Sequence, residues 1–170
     1  MCMDLTQEEL KNKLHYSPDT GVFTWLYPTS RGKKEGSVAG YLGVMKYRQI
    51  MIRGRAYLEH RLAFLYMTGS FPKKDTDHIN RIRNDNRWCN LREATRSENC
   101  MNMSLRKDNS SGYRGVSWCT KDKRWIAQSK INKKYRRLGA FHTAIDASNA
   151  YQEFIKIHHG DFYNATGIKE

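Results

Sequence analysis

Thr76-Asp77-His78-Ile79-Asn80, followed by Asn84-Asp85-Asn86-Arg87, Asn90-Leu91-Arg92 and Thr95-Arg96-Ser97-Glu98-Asn99, is the stretch that decides the fold. Asp77 and His78 are adjacent, so on an extended segment their side chains point to opposite sides. Thr95-Arg96-Ser97-Glu98 is a capping box and places Asn99 in the first turn of a helix. Asn90, a neutral amide that bonds well to backbone groups, suits the task of holding the long loop between two strands. The order is a strand bearing Asp-His, a loop, a second strand, and a helix presenting Asn99 to the same place.

Moving outward, Thr6-Gln7-Glu8-Glu9 is a second capping box, opening a helix with Leu10 and Leu14 on one face. Short strands are expected at Gly21-Val22-Phe23-Thr24-Trp25, at Ser37-Val38-Ala39 and over 47–52. From Tyr57 to Thr68, Leu58, Leu62, Leu65 and Tyr66 recur at helical spacing, with Gly69 as the stop. His60 falls on that helix, where packing or a phosphate contact is its expected role. Beyond a polar linker at 107–112, strands are expected at Tyr113–Trp118, Arg124–Ile131 and Tyr135–Phe141. Thr143-Ala144-Ile145-Asp146 then opens a helix with Ala147, Ala150, Tyr151, Phe154 and Ile157 on one face, ending at Gly160. The fold class is therefore α+β: an N-terminal small sheet and helix, a strand-strand-helix core, and a three-stranded antiparallel sheet packed on one helix. The domain bounds are 1–106, 107–112 for the linker, and 113–163.

Composition narrows the partner. The chain has 170 residues with 30 Lys+Arg against 17 Asp+Glu, a net charge of +13, and only 3 prolines. A surplus of that size points to a polyanion. Residues 111–137 hold nine basic groups against Asp122 alone. The longest apolar run, Leu62 to Met67, is far too short to span a bilayer. Met1-Cys2-Met3-Asp4 lacks the basic start and apolar stretch of a signal peptide, so a cytoplasmic location is expected. The four cysteines, Cys2, Cys89, Cys100 and Cys119, form no C-x-x-C pair and read as free thiols rather than zinc ligands.

Asp, His and Asn in this order suit phosphodiester hydrolysis. Water must lose a proton as it attacks phosphorus, and His is the usual base near neutrality. Charge on the leaving 3′ oxygen is well neutralised by a hard divalent cation, which needs only one or two protein oxygens beside its waters.

The run from Thr76-Asp77-His78 through Asn90-Leu91-Arg92 to Ser97-Glu98-Asn99 closely resembles the HNH endonucleases, specifically phage-type homing enzymes with a ββα-metal core. Tyr57-Leu58-Glu59-His60-Arg61-Leu62 and Gly69-Ser70-Phe71-Pro72 resemble that family's lead-in. The resemblance implies His78 as general base, Asp77 and Asn99 as ligands of Mg²⁺ or Mn²⁺, and Asn90 as the structural Asn of the motif. Where many members have a second His, this chain has Asn99, a ligand suited to those hard cations. Members of this Asn type include strand-nicking enzymes.

Residues 111–163 resemble the plant ethylene-response-factor-type DNA-binding domain, through Ser111-Gly112-Tyr113-Arg114-Gly115-Val116, Arg124-Trp125-Ile126-Ala127, Leu138-Gly139-Ala140-Phe141 and Asp146-Ala147. In that family the sheet enters the major groove with Arg and Trp side chains. The resemblance implies Arg114 and Lys130 as the best-matching groove contacts, Lys130 standing where the family commonly has Arg; Arg137 stands where the family has Trp and Ser117 where it has Arg, and Trp118, Trp125 and Arg137 are further DNA-binding candidates. Burial against the helix is an equal reading for Trp125. Arg124, Lys133, Lys134 and Arg136 suit phosphate contacts on charge alone. Arg48, Arg53 and Arg55 offer a further DNA surface on the N-terminal sheet.

The expected function is a sequence-targeted, homing-type DNA endonuclease with one divalent metal. Its partner would be double-stranded DNA, with no membrane and a monomeric state favoured. The gene would belong to a phage or another mobile element acting in a bacterial host cell. The alternative is a non-catalytic DNA-binding transcriptional regulator with a vestigial HNH fold.

Overall fold

The computed structural model describes residues 5–28, 32–102, 105, 108–131 and 134–159. The chain divides into two units, Met1–Asn99 and Cys100–Glu170.

In the first unit the Thr6 hydroxyl accepts from the Glu9 amide at 3.2 Å and starts α1 (Gln7–Lys13). Leu14 ends that helix in an extended conformation and opens β1 (Leu14–Ser17), antiparallel to β2 (Val22–Trp25). Tyr16 and Phe23 face each other across this hairpin, both buried, their rings stacked at 4.6 Å. Such a cross-strand aromatic pair contributes about 0.5–1.5 kcal/mol beyond its buried area. The strand expected at Ser37-Val38-Ala39 is reduced to a single bridge, Val38 to Thr24. The turns that close at Gly36 and reopen at Gly40 leave it no length to pair.

A three-stranded sheet follows, ordered β3 (Tyr41–Leu42), β4 (Arg48–Ile52), β5 (Arg55–Leu58). The helix expected from Tyr57 begins at Glu59, as α2 (Glu59–Thr68), and closes on Gly69 in the left-handed region. Arg53 and Gly54 both have positive φ, a two-residue hairpin turn that draws the next four residues into pairing with β4. Tyr57 and Leu58 therefore face Ile50 and Gln49 in the sheet. Leu10, Leu14, Phe23, Ile50 and Leu62 have no exposed surface and form the centre of this core.

The strand-loop-strand-helix order is present. β6 (Asp75–His78) pairs antiparallel with β7 (Leu91–Ala94), a 3-10 turn (Trp88–Asn90) leads into β7, and α3 (Arg96–Asn102) follows. The capping box closes in both directions: Thr95 Oγ1 accepts from the Glu98 amide at 3.3 Å, and the Thr95 amide donates to Glu98 Oε2 at 2.6 Å.

The second unit is a sheet ordered β10-β9-β8, from β8 (Val116–Cys119), β9 (Arg124–Ile131) and β10 (Lys134–Phe141), with α4 (Ala144–His159) packed on all three strands. Thr143 caps α4 from its hydroxyl, which accepts from the Asp146 amide at 3.1 Å. Val116, Ala127 and Ala147 are buried at its centre, with Trp125, Phe141 and Tyr151 partly buried around them. Ile157, expected on the core face of α4, is 80% exposed, and Ile155 takes the buried place. Two helical positions turn the side chain by about 200°, so burial of Ile155 puts Ile157 outside. The expected end of α4 at Gly160 lies outside the described residues, as does Lys107 of the linker; Asn109 accepts from the Gly112 amide in a turn at 2.7 Å.

The whole is α+β, as the sequence implies. Among the described residues no helix is long and apolar enough to cross a membrane. Cys89, Cys100 and Cys119 are free thiols, and Cys2 lies outside the described residues.

Candidate active site

Pairing of β6 with β7 sets Asp77 opposite Arg92 and His78 opposite Leu91. Adjacent residues on a strand diverge, and these two do. Asp77 is 5% exposed, and Nε and Nη2 of Arg92 both lie 2.9 Å from its Oδ2. His78, also 5% exposed, turns the other way into a cluster of rings: His60 at 5.2 Å and Tyr47 at 5.9 Å between centroids. The exposed guanidinium of Arg83 covers the Tyr47 ring at 5.2 Å and donates to the Met45 carbonyl at 3.1 Å.

The loop between the strands is held by amides. Asn90 Oδ1 accepts from the Asn80 amide at 2.9 Å, and its Nδ2 donates to Asn80 Oδ1 at 3.0 Å and to the Asp85 carbonyl at 2.8 Å. Asn90 thus ties Asn80 and Asp85, two points of the loop, to the start of β7. Arg87 grips Asp85 through two bonds, and this holds the Asp85 carboxyl down at about 2.

Behind His78 runs a buried chain of polar groups. His78 Nε2 lies 3.0 Å from Oδ1 of Asn86; Nδ2 of Asn86 donates to Glu59 Oε2 at 3.1 Å. Arg48 Nε donates to both oxygens of Glu59, at 3.0 and 2.9 Å, and Nη2 of Arg48 donates to the Ala39 carbonyl at 2.7 Å. Glu59 has no exposed surface and Asn86 has 1%. Burial raises the Glu59 pKa, opposed by Arg48 and Asn86. Burial likewise lowers the His78 pKa, opposed first by the Asn86 hydrogen bond, and pushes His60 down to about 3. At neutral pH the His60 ring is therefore uncharged.

The backbone is shaped to this chain. Gly40, at φ +82, lies where a Cβ would overlap the Glu59 carboxylate. Gly21, at φ +73, lies where a Cβ would overlap the Asn86–Arg87 peptide. Tyr16 donates its hydroxyl to the Asn86 carbonyl at 2.6 Å, and the Trp88 amide donates to the Pro18 carbonyl at 2.9 Å. The β1–β2 hairpin thus clamps the segment carrying Asn86.

Asn99 is in the first turn of α3, half-buried, with its amide bonded to the Thr95 carbonyl at 2.9 Å. Among the described residues no group of three or more His, Cys, Asp or Glu could hold a metal ion. A carboxylate and an amide oxygen from Asp77 and Asn99 nonetheless match a hard cation that keeps most of its waters. Arg92 already neutralises Asp77, so any cation competes with a guanidinium.

The DNA-facing candidates divide by strand register. In β9 and β10 the pairs Arg137↔Gln128 and Tyr135↔Lys130 put Arg124, Lys130 and Arg137 on one face. The alternate positions face α4: Arg136 lies over the Phe154 ring at 5.5 Å, and half-buried Trp125 packs in the core with Trp118 edge-on to it at 5.1 Å. Arg137 pairs with Asp122 at 3.1 Å, Arg124 meets His142, and Lys130 lies over Tyr135. Lys134 is exposed, Arg114 is half-buried, and Lys133 lies outside the described residues. In the first unit Arg48 is engaged inside the molecule with buried Glu59, which removes it from the expected DNA surface, while Arg53 pairs with Glu9 at 2.6 Å and stays exposed.

Sequence reasoning missed Glu59, Asn86, Arg48 and Arg92. Glu59 had a signal: it precedes Leu62 and Ala63 at the three- and four-residue spacing of the buried face. The other three had none, because their partners are set by strand register and loop closure.

Residues 57–101 match the family described as HNH endonuclease. A solved structure described as "DNA binding and cleavage by the HNH homing endonuclease I-HmuI" aligns at 22% identity, TM-score 0.40, over 53% of this chain and 51% of that one. The chain thus spans about half the length of that structure. No curated protein matches. The segment from Tyr57 to Met101, which supplies Asp77, His78, Asn90 and Asn99, is therefore the part of the chain that is similar to the HNH endonucleases.

Proposed function

We propose that the protein is a DNA endonuclease of the homing type in which His78 is the general base. The observation that carries this is His78 itself, hydrogen-bonded to Asn86 at 3.0 Å and next to Asp77, inside the segment similar to the HNH endonucleases. The imidazole takes a proton from water as its oxygen attacks phosphorus. Asn90 holds the loop, and so the floor of the site, in place. Asp77 and Asn99 would hold Mg²⁺, or Mn²⁺, which when bound supplies charge neutralisation at the leaving 3′ oxygen. Arg83, exposed above Tyr47, suits a phosphate of the cut strand.

The second unit, in this reading, grips the duplex as an ethylene-response-factor-like sheet. Support comes from its three strands on one helix and from Arg124, Lys130 and Arg137 on the face away from that helix. Tethering the two activities in one chain raises the local concentration of the cutting site at its target.

Supercoiled plasmid incubated with the protein and Mg²⁺, with EDTA as control, tests the reading. Cleavage is expected only with the metal. His78→Ala is expected to lower the rate by about 10²–10⁴-fold while DNA binding, measured by mobility shift, is kept. Equal loss of binding and cleavage in that variant, or no cleavage by the unaltered protein, would overturn the assignment and leave a DNA-binding regulator.

A further inference from the structure

We propose that Glu59 is a positioning residue: acting through the Asn86 amide, it fixes neutral His78 as the tautomer protonated at Nε2, which makes Nδ1 the nitrogen that carries the basic lone pair. The inference rests on the reading of His78 as the base and adds which atom acts and what selects it.

The argument is one of donors and acceptors. Arg48 has only donors and bonds both Glu59 oxygens, which keeps that carboxylate an acceptor. Whatever else reaches Oε2 must donate, and the group there is the Asn86 amide, so its nitrogen faces Glu59 at 3.1 Å. The Asn86 oxygen is then turned to His78 at 3.0 Å, and an oxygen facing a ring nitrogen requires a proton on that nitrogen. Neutral imidazole carries one proton, so Nδ1 holds the lone pair.

Gly40 lets backbone lie against the carboxylate, and the Tyr16 hydroxyl and Gly21 fix the Asn86 peptide from the other side. In the hydrolytic step one water O–H bond breaks and its proton moves to Nδ1. The oxygen forms the new bond to phosphorus, and the 3′ oxygen leaves with the electron pair. The ring becomes an imidazolium whose Nε2–H stays on Asn86, backed by a carboxylate.

Exchange of the carboxylate for an amide reverses the chain. In Glu59→Gln the side-chain oxygen turns to Arg48, and its NH₂ then faces Asn86. Asn86 must flip to accept, presenting its own NH₂ to His78 Nε2, which must now be unprotonated, and the proton moves to Nδ1. Adding Asn86→Asp restores an acceptor on both sides and returns the proton to Nε2. A misplaced tautomer beside a nucleophile costs about 10⁴-fold in the serine-protease triad when the orienting Asp becomes Asn.

The test is long-range ¹H–¹⁵N correlation on the full chain with ¹⁵N-labelled histidine, at mildly alkaline pH. His78 is assigned by its disappearance in His78→Gln. The expected result is an Nε2–H tautomer in the unaltered protein, Nδ1–H in Glu59→Gln, and Nε2–H again in the Glu59→Gln/Asn86→Asp double variant. Cleavage should fall by about 10²–10⁴-fold in the single variant at unchanged DNA affinity and recover in the double. An Nδ1–H ring in the unaltered protein, or an unmoved tautomer in a folded Glu59→Gln, would overturn the proposal. If Glu59→Gln does not fold, the spectra of the unaltered and double proteins still decide it, because both must show Nε2–H. The spectra need no catalysis: a tautomer that switches in a chain that cuts no DNA upholds the relay while the nuclease reading falls.

Discussion

The His60 ring sits edge-on to both His78 and Tyr47, at centroid distances of 5.2 and 5.3 Å, and is 6% exposed. Burial, with smaller contributions from His78 and Arg61, holds its pKa down to about 3 against 6.5 in an unfolded chain. Between those values the unfolded state binds a proton that the native state refuses. Stability from this residue is therefore complete above pH 6.5 and lost as pH falls toward 3, at about 1.4 kcal/mol per pH unit. Urea midpoints measured from neutral pH to pH 4 should drop steeply in the unaltered protein and less steeply in His60→Gln. Parallel curves would mean that the ring accepts its proton without unfolding. At this scale the placement of Asp77 and His78 on a strand and of Asn90 in the loop that leads to its partner was legible from local chemistry, whereas Arg92 on Asp77 was not, because strand register sets that pair.

At the scale of elements, the β1–β2 hairpin is part of the site because it holds Asn86. Gly21→Ala would place a methyl group on the Asn86–Arg87 peptide and force an L side chain to φ +73. A loss of about 1–3 kcal/mol is expected, together with slower cleavage, since Asn86 would shift against His78. A thermal melt and a plasmid assay on the same variant check both, and an intact rate with a lowered melting point would detach the hairpin from function. The three capping boxes at Thr6, Thr95 and Thr143 were legible because donor and acceptor lie three residues apart. β5 was not, because apolar residues at helical spacing also fit a short strand, and the Arg53-Gly54 turn decided between them. Glu59 and Asn86 were not, since residues 27 apart meet only once the sheet and loop have closed.

For the molecule as a whole, the proposed grip on DNA would draw its strength from charge, and register sets which charges count. Arg124, Lys130 and Arg137 share the open face of the second sheet, whereas Arg136 lies against α4. In a salt titration of duplex binding, Lys130→Ala and Arg137→Ala should each reduce the slope of log K against log salt by about one. Arg136→Ala should leave it nearly unchanged. Equal effects from all three would show that the helix side of the sheet meets phosphates too. Composition alone pointed to a polyanion, but it could not sort these residues, because alternation along a strand becomes readable only when the partner strand and its bulge after Arg137 are known.

The Arg48–Glu59 ion pair has a further consequence. Glu59 lies inside the segment similar to the HNH endonucleases and Arg48 outside it, as do Tyr16 and Gly21. Excised at residue 57, that segment would lose together the guanidinium that neutralises Glu59, the Gly40 backbone packed against its carboxylate and the hairpin that clamps Asn86. The candidate site is thus not a portable cassette: transplantation into another scaffold has to bring the amino-terminal hairpin and sheet along.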